Sequence, residues 1–565
     1  MHILCLDCTL APAFTALGHT VTSLALPAGT TTYEALAASL PQKPDCLIQQ
    51  EKLTSDGYAL VSGLEKASCP TLYLAMNAHR NLYWQQHYSR LFDAVLTPQR
   101  SLFDALPVEN RHPHPVLFPH TGTIHPWIPH AKRKHALAFS GSLNENHPAR
   151  TWMVQSLGKH FELFHAKELS FEDTLDLYSA TRIVPNEAFR FAANSHLLEA
   201  ASCGPALITP ECGPDQDAVF ERGKEMLVYR NGAELHEHVA RLLRNPEEAE
   251  AMGRAAWERI QKEHLPEHRA TAVITMLPSL TQTRLTCSEA ATAFWQTKTE
   301  FLRNGYTLFP SEELVRESKS LPQTPQVLGG TLHLLGSIEH RSVALQHCQT
   351  LLDEKTGISS QECNATASAC ALRHGDFGMA RQFWSRNNAA ALPAQPAPAI
   401  PQTPFALCLA WAEVMHGLCR DVRHGFAFLP ESGHLPACAH DFYTLAEFYD
   451  GKNIIVPERM AALLAAYPAY SVFRLGLLSR LAANEVSNWQ THLACGLAAI
   501  DVCHEDTAEQ ELVLAALEAE SKGESPAFFR SLVTAPSGTY MEEVVTRLAH
   551  NARENASSKS PAEPI

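Results

Sequence analysis

Residues 184–204, VPNEAFRFAANSHLLEAASCG, followed by PALIT at 205–209, decide the fold. An apolar run gives way to a polar loop, and then Ser195–Ser202 reads as a helix carrying Glu199. Cys203-Gly204 closes that helix, and a second apolar run, rich in β-branched residues, begins at once. Glycine just past a helix end and a strand directly after it are the marks of a strand–helix–strand unit. Such units specify a parallel sheet covered by helices.

The same alternation extends in both directions. Upstream, residues 135–140 (HALAFS) read as a strand, 141–147 as a loop and 150–158 as a helix. Residues 161–165, 170–180 and 182–185 continue as strand, helix and strand. Downstream, 215–222 reads as a turn or short helix, 226–229 as a strand, and 233–244 and 246–263 as helices. The first hundred residues alternate likewise: strands at 2–6, 19–26, 45–49, 70–75 and 92–97, helices at 12–17, 33–40, 57–66 and 82–91, and a short helix from Gln99. The Pro- and His-rich stretch at 107–134 breaks the pattern and reads as a connection between two α/β units.

From about 285 strands disappear. Residues 332–352 and 365–384 read as helix–turn–helix pairs, similar to the tetratricopeptide pattern. Further helices are expected at 405–419, 437–449, 457–466, 470–484, 489–503 and 507–521. The expected fold class is therefore α/β, two Rossmann-like domains followed by an all-α, helical-repeat-like region. The expected organisation is an N-terminal domain at 1–110, a connection at 111–134 and a second Rossmann-like domain at 135–277. After these come helices at 285–387, a Pro/Ala-rich linker at 388–404, helices at 405–550 and a disordered tail at 551–565.

Composition narrows the function classes. The chain has 565 residues, too many for one core at about 100–200 residues per domain. Lys plus Arg is 45 against 60 for Asp plus Glu, a net charge of −15, which argues against nucleic acid as a partner. No apolar stretch reaches the ~18–20 residues of a membrane span, and the N-terminus lacks the basic region of a signal peptide. Fifteen cysteines without a framework point to a reduced, cytoplasmic protein. Cys5 and Cys8 form a CxxC that spans a strand end and reads as core.

Chemistry is expected where two α/β units present the carboxyl ends of their strands to a cleft. The strand ending in Ser140-Gly141-Ser142 is expected to offer unhindered N–H groups beside a helix N-terminus, with Arg150 in the first helical turn adding a charge for a phosphate. Glu199 is positioned to accept the hydroxyls of a ribose. Polar residues at or after the early strands, Asp7, Glu51, Asn77 and His79, read as loop groups on the acceptor side. The histidines His112, His114, His120, His125, His130 and His135 lack partners at a recurring ligand spacing, so no metal site is nominated.

These blocks, FSGS (139–142), Arg150, PNEAF (185–189), NSHLLEAASCGPALIT (194–209), FERGKEMLVY (220–229) and the helical run at 234–269, resemble the C-terminal half of GT-B glycosyltransferases. They most resemble the spore-maturation CgeB-like group. FTALGHTV (14–21), KPDCLI (43–48) and PTLYLAMNAHRNLYWQQHYSRLFDAVLTPQ (70–99) are similar to the N-terminal half, so the likeness covers residues 1–275 or so. The resemblance implies a nucleotide diphosphate-sugar as donor substrate, with no further cofactor and no obligatory metal. It implies that Glu199 contacts the ribose, that Gly141, Ser142 and Arg150 lie near the diphosphate, and that Asn186 and its loop line the sugar side. His196 stands where the group commonly carries Arg, and an imidazole does not replace a guanidinium fork. Arg190 or Lys224 would then supply the phosphate contact, or donor affinity or activity would be reduced.

Three readings follow. The chain is a sugar transferase whose helical half selects a protein or glycan-precursor acceptor; or a non-catalytic scaffold on a degenerate GT-B unit; or a sugar-nucleotide epimerase.

Overall fold

The computed structural model describes residues 1–408 except 55–56, 107, 109, 144–147, 189–193, 231, 283, 304–308, 338–340 and 392–399, together with 410, 411, 442 and 445. The described residues form two compact units, one of Met1–Pro119 with the described residues from Pro266 onward, the other of His120–Leu265.

The first unit is built on a six-stranded parallel sheet. Its strands are β1 (His2–Leu6), β2 (Thr20–Leu24), β4 (Cys46–Gln50), β7 (Thr71–Leu74), β8 (Ala94–Thr97) and β9 (Pro115–Leu117), in the order β2-β1-β4-β7-β8-β9. Every residue of β1, β7 and β8 is buried, which is why these segments read as continuous apolar runs. A small sheet of β3 (Gly29–Thr32), β5 (Leu53–Thr54) and β6 (Gly57–Ser62) stands apart from it.

Two expectations fail here. Residues 57–66, expected as a helix, form β6 and then a single 3₁₀ turn, Leu64–Lys66. Tertiary partners decide it: β6 pairs in parallel with β3, Val61 N–H donates to the Tyr88 hydroxyl at 2.7 Å, and the Gln49 amide donates to Ala59 O at 3.0 Å. The stretch at 107–134 also hides β9, which pairs with β8 at the sheet edge, where the missing N–H of Pro115 is tolerated. The first unit therefore continues to Pro119 rather than 110. The helix Pro266–Met276, read with the second unit, instead buries Ala270 and Val273 among Ile3, Cys5 and Phe14 of the first.

Helices Cys287–Arg303, Ser311–Ser318, Pro325–Ser337, Arg341–Asp353, Gln361–Arg373 and Phe377–Ala391 belong to the same unit. Phe301 stacks on Tyr58 (5.0 Å between ring centroids) and lies 4.9 Å from Trp84, joining the helices to the sheet. Small residues along Gln361–Arg373 (TASACAL) let it sit buried against both Pro325–Ser337 and Phe377–Ala391. The expected pairs at 332–352 and 365–384 fall on these helices. The expected linker starts late, since helix runs to Ala391. The helices expected from 437 onward and the tail at 551–565 lie outside the described residues, apart from helical Phe442 and Leu445.

In the second unit β10 (His135–Ser140), β11 (Leu163–Ala166), β12 (Thr181–Pro185), β13 (Ala206–Pro210) and β14 (Leu227–Tyr229) form one parallel sheet, ordered β11-β10-β12-β13-β14. Its two faces are filled by separate apolar clusters, one around Leu197, Leu198 and Ile260, the other around Phe139, Leu157 and Val239. The helix Ser195–Cys203 starts where the Asn194 side chain accepts from Leu197 N–H (3.1 Å) and stops at Gly204, whose φ is +79°.

Arg133 ties the helix ends down. Its guanidinium donates to the carbonyls of Ile128 (3.0 Å), Tyr178 (3.3 Å), Thr181 (2.7 Å) and Cys203 (2.8 Å). Two of these belong to the C-terminal ends of Phe171–Ser179 and Ser195–Cys203, where a cation is favoured. Replacing Arg133 with Met should lower unfolding stability by about 3 kcal/mol, because buried carbonyls lose their donors. Arg133→Lys should recover little of it, since an ammonium does not span four acceptors. Urea denaturation measures both, and an unshifted midpoint for the Met variant would show that water replaces the guanidinium.

Candidate functional site

The order of the second sheet, with its strands counted from its own first, is 2-1-3-4-5, a doubly wound arrangement. From β10 the chain crosses to one side and from β12 to the other, so the carboxyl ends of these two neighbours bound a crevice at the reversal point. Ser140-Gly141 leaves β10 at that point, and Asn186-Glu187 leaves β12.

Gly141 differs from expectation. Its N–H donates to Ala166 O at 3.0 Å, and its carbonyl lies 2.8 Å from His165 Nε2, so the N–H does not face a ligand. The bend after β10 fixes both groups onto β11. A Cβ at Gly141 would stand 3.0 Å from the Phe139 ring, tighter than an ordinary contact, while Arg150 Nη1 would lie at an ordinary 3.5 Å. Ser142 follows, half-buried. Arg150, in the first turn of Pro148–His160, donates from Nε to Glu187 Oε2 at 3.2 Å and sits 5.9 Å over the Phe139 ring. The pair is largely out of water: the side chains are 12% and 4% exposed.

Asn186 is a scaffold residue. Its N–H donates to Ile208 O (2.6 Å) and its amide to Thr209 Oγ1 (3.1 Å) and Asn194 Oδ1 (3.2 Å). Tyr229 donates its hydroxyl to the Asn186 carbonyl at 3.1 Å. Asn194 in turn donates to Glu187 O (2.9 Å) while capping the helix that carries Glu199. Arg190 and the rest of 189–193 lie outside the described residues.

Glu199 accepts from His196 Nδ1 across 3.2 Å; the two side chains are 19% and 47% exposed. Burial acts to raise its pKa. The hydrogen bond and charge of His196, the Ser195 hydroxyl and the His120 charge outweigh that and hold the carboxyl below its ordinary value. Leu197, Leu198 and Ala200 are buried behind it, as the sequence implies. The pKa of the buried Tyr178 phenol is pushed well up, first by burial and then by the charge of Glu199.

The sequence reading missed Glu187, Asn194 and Tyr178. Glu187 was legible as an acid directly beyond a buried strand, and Asn194 as an N-cap before Ser195; nothing in the sequence distinguished Tyr178. Lys224 forms an exposed pair with Glu221 at 2.8 Å.

In the first unit Asp7, at φ +51°, binds Lys52 at 2.7 Å and accepts Leu26 N–H at 3.2 Å. Glu51 is buried, which pushes its pKa up, and accepts Asn77 N–H at 2.9 Å and the Asn81 amide. His79 lies in the helix Ala78–Tyr88. Cys5 and Cys8 lie in the core. His112 (on Phe92 O, 3.0 Å) and His130 (on Gly204 O, 3.0 Å) are structural; burial lowers the pKa of each to about 4. Among the described residues no group of three His, Cys, Asp or Glu is placed to hold a metal ion, and no helix is long and apolar enough to cross a membrane.

Residues 127–275 match the model of a family described as glycosyl transferase-like. No curated protein matches the chain. Among solved structures, a chain of the GtfA/B complex is similar over 44% of this chain and 59% of its own length, at 13% identity and a TM-score of 0.33. This chain therefore spans less than two thirds of that protein. Sucrose-phosphate synthase from Thermosynechococcus elongatus is similar over 50% of this chain and 99% of its own, at 13% identity and a TM-score of 0.31. Anabaena HepE, in complex with UDP and glucose, is similar over 50% and 100%, at 12% identity and a TM-score of 0.32.

The Glu199 environment makes a pH prediction. A folded-state pKa below the ordinary 4.5 means that ionised Glu199 contributes stability above that value and loses it as pH falls through the depressed one. In His196→Ala the chief lowering influence is gone and burial prevails. Carboxyl-detected NMR should show the Glu199 titration move upward. A midpoint unchanged from wild type would show that His196 does not act on Glu199.

Proposed function

We propose that the chain is a glycosyltransferase that binds a nucleotide diphosphate-sugar at the carboxyl end of the second unit's sheet and transfers the sugar to an acceptor. One observation carries the reading: at the reversal point of a doubly wound sheet, Arg150 from the helix after the first of the two strands is paired at 3.2 Å with Glu187 at the end of the second, and the capped helix that carries Glu199 follows that second strand. The glycosyl transferase-like match over 127–275 supports it.

Glu199 takes the ribose hydroxyls, exchanging its bond with His196 for two from the ligand. Arg150 meets the diphosphate together with Ser142, Gly141 contributes clearance rather than a donor, and Asn186 acts indirectly by fixing the loop start. The CgeB-like likeness, a cytoplasmic setting and a tetratricopeptide-like helical half that selects a protein or glycan-precursor acceptor belong to the same proposal.

A second reading has its own support. Both charged groups already have partners, Glu187 and His196, and the latter replaces the arginine common in the resembled group. On that reading the unit is a non-catalytic scaffold, and the purified chain neither transfers nor hydrolyses any nucleotide-sugar.

Calorimetry of the full chain with UDP, GDP and their sugars tests the donor site. Glu199→Ala should weaken the bound nucleotide about 10- to 100-fold, the worth of one or two hydrogen bonds to a carboxylate, with the circular dichroism spectrum unchanged. Equal affinity in the variant refutes the ribose assignment. Binding without turnover favours the scaffold, and sugar-nucleotide conversion without an acceptor favours the epimerase.

A further inference from the structure

We propose that Glu187 is a positioning residue: it holds Arg150 by Nε so that the two Nη groups face the diphosphate at the reversal point of the second sheet. This rests on the donor-site reading above and adds a residue and a mechanism to it.

An unrestrained arginine side chain loses rotamer freedom when it is ordered. Here much of that ordering precedes any ligand. Glu187 Oε2 takes Nε at 3.2 Å, Phe139 supports the guanidinium face at 5.9 Å, and Nη1 lies beside the Gly141 strand end. The guanidinium has five N–H groups in a planar fork. With Nε occupied, the Nη edge keeps four of them, in the geometry that matches two phosphate oxygens.

Glu187 is itself held by its backbone. Asn194 donates to its carbonyl at 2.9 Å, and its neighbour Asn186 is bonded to Ile208, Thr209, Asn194 and Tyr229. The carboxylate therefore stands on a fixed strand end. Its charge also opposes that of a phosphate, so its benefit is geometric. A neutral side chain of the same shape should serve as well or better, because an amide oxygen still accepts from Nε.

The test compares each nucleotide with its nucleoside, since only the former reaches Arg150. UDP, uridine, GDP and guanosine are titrated into the full-length wild type and into Glu187→Ala, Glu187→Gln, Arg150→Ala and the Glu187→Ala/Arg150→Ala double variant. The base that wild type binds is used throughout. Glu187→Ala should weaken the diphosphate about tenfold and leave the nucleoside unchanged. Glu187→Gln should match or exceed wild type, and the double variant should bind no worse than Arg150→Ala alone. Equal losses for nucleotide and nucleoside, a loss in Glu187→Gln as large as in Glu187→Ala, or a further loss on the Arg150→Ala background each overturn the proposal. Wild type that binds no nucleotide removes the donor site itself, and this role with it. Should Glu187→Ala fail to fold, the Gln variant and Arg150→Ala decide: a loss in the former overturns the role.

Discussion

A parallel sheet imposes one constraint on everything it carries. Each strand must return to the starting edge by a crossover, so all carboxyl ends emerge together. Where successive crossovers depart to opposite sides, two neighbouring strand ends are left without a covering connection. In the second unit that place is fixed between β10 and β12. The groups found there follow: the backbone of Ser140-Gly141, the Asn186-Glu187 strand end, Arg150 from the helix after β10, and the capped helix of Glu199 beyond β12.

Within that frame the polar residues divide by what they bind. Gly141 and Asn186 have committed their backbone and amide groups to neighbouring strands, so they shape the site. Arg150 and Glu199 are charged and partly exposed, and each is paired with an ionisable side chain, Glu187 and His196, an arrangement that a ligand can join or exchange. The two pairs differ in kind. Glu187 and Arg150 form a nearly buried ion pair, costly to break by removing one member. His196 is half-exposed, and its hold on Glu199 depends on an imidazole rather than a permanent charge.

Much of this was legible in the sequence because buried parallel strands read as continuous apolar runs. HILCL, TLYL, HALAFS and ALIT could hardly be anything else, and Gly18 and Gly204 marked their helix ends. The failures lie where distant partners decide. GYALVS has no strong preference of its own and becomes a strand through β3 and the Tyr88 hydroxyl. Pro115–Leu117 is three residues in a proline-rich stretch, and only its edge position beside β8 makes it a strand. At the site, residue types suggested Arg150 and Glu199. That Gly141 N–H would be taken by Ala166, or that Glu187 would meet Arg150, required knowing that β11 and β12 flank β10.

The most direct test is diffraction from crystals of the full chain soaked with UDP, or with GDP if that is the nucleotide bound in solution. The proposed donor site requires ribose density against Glu199 and diphosphate density within hydrogen-bonding distance of Arg150 Nη1 and Nη2, with the Glu187 carboxylate still on Nε. Nucleotide density anywhere else on the chain, with Arg150 and Glu199 unaltered, would contradict it.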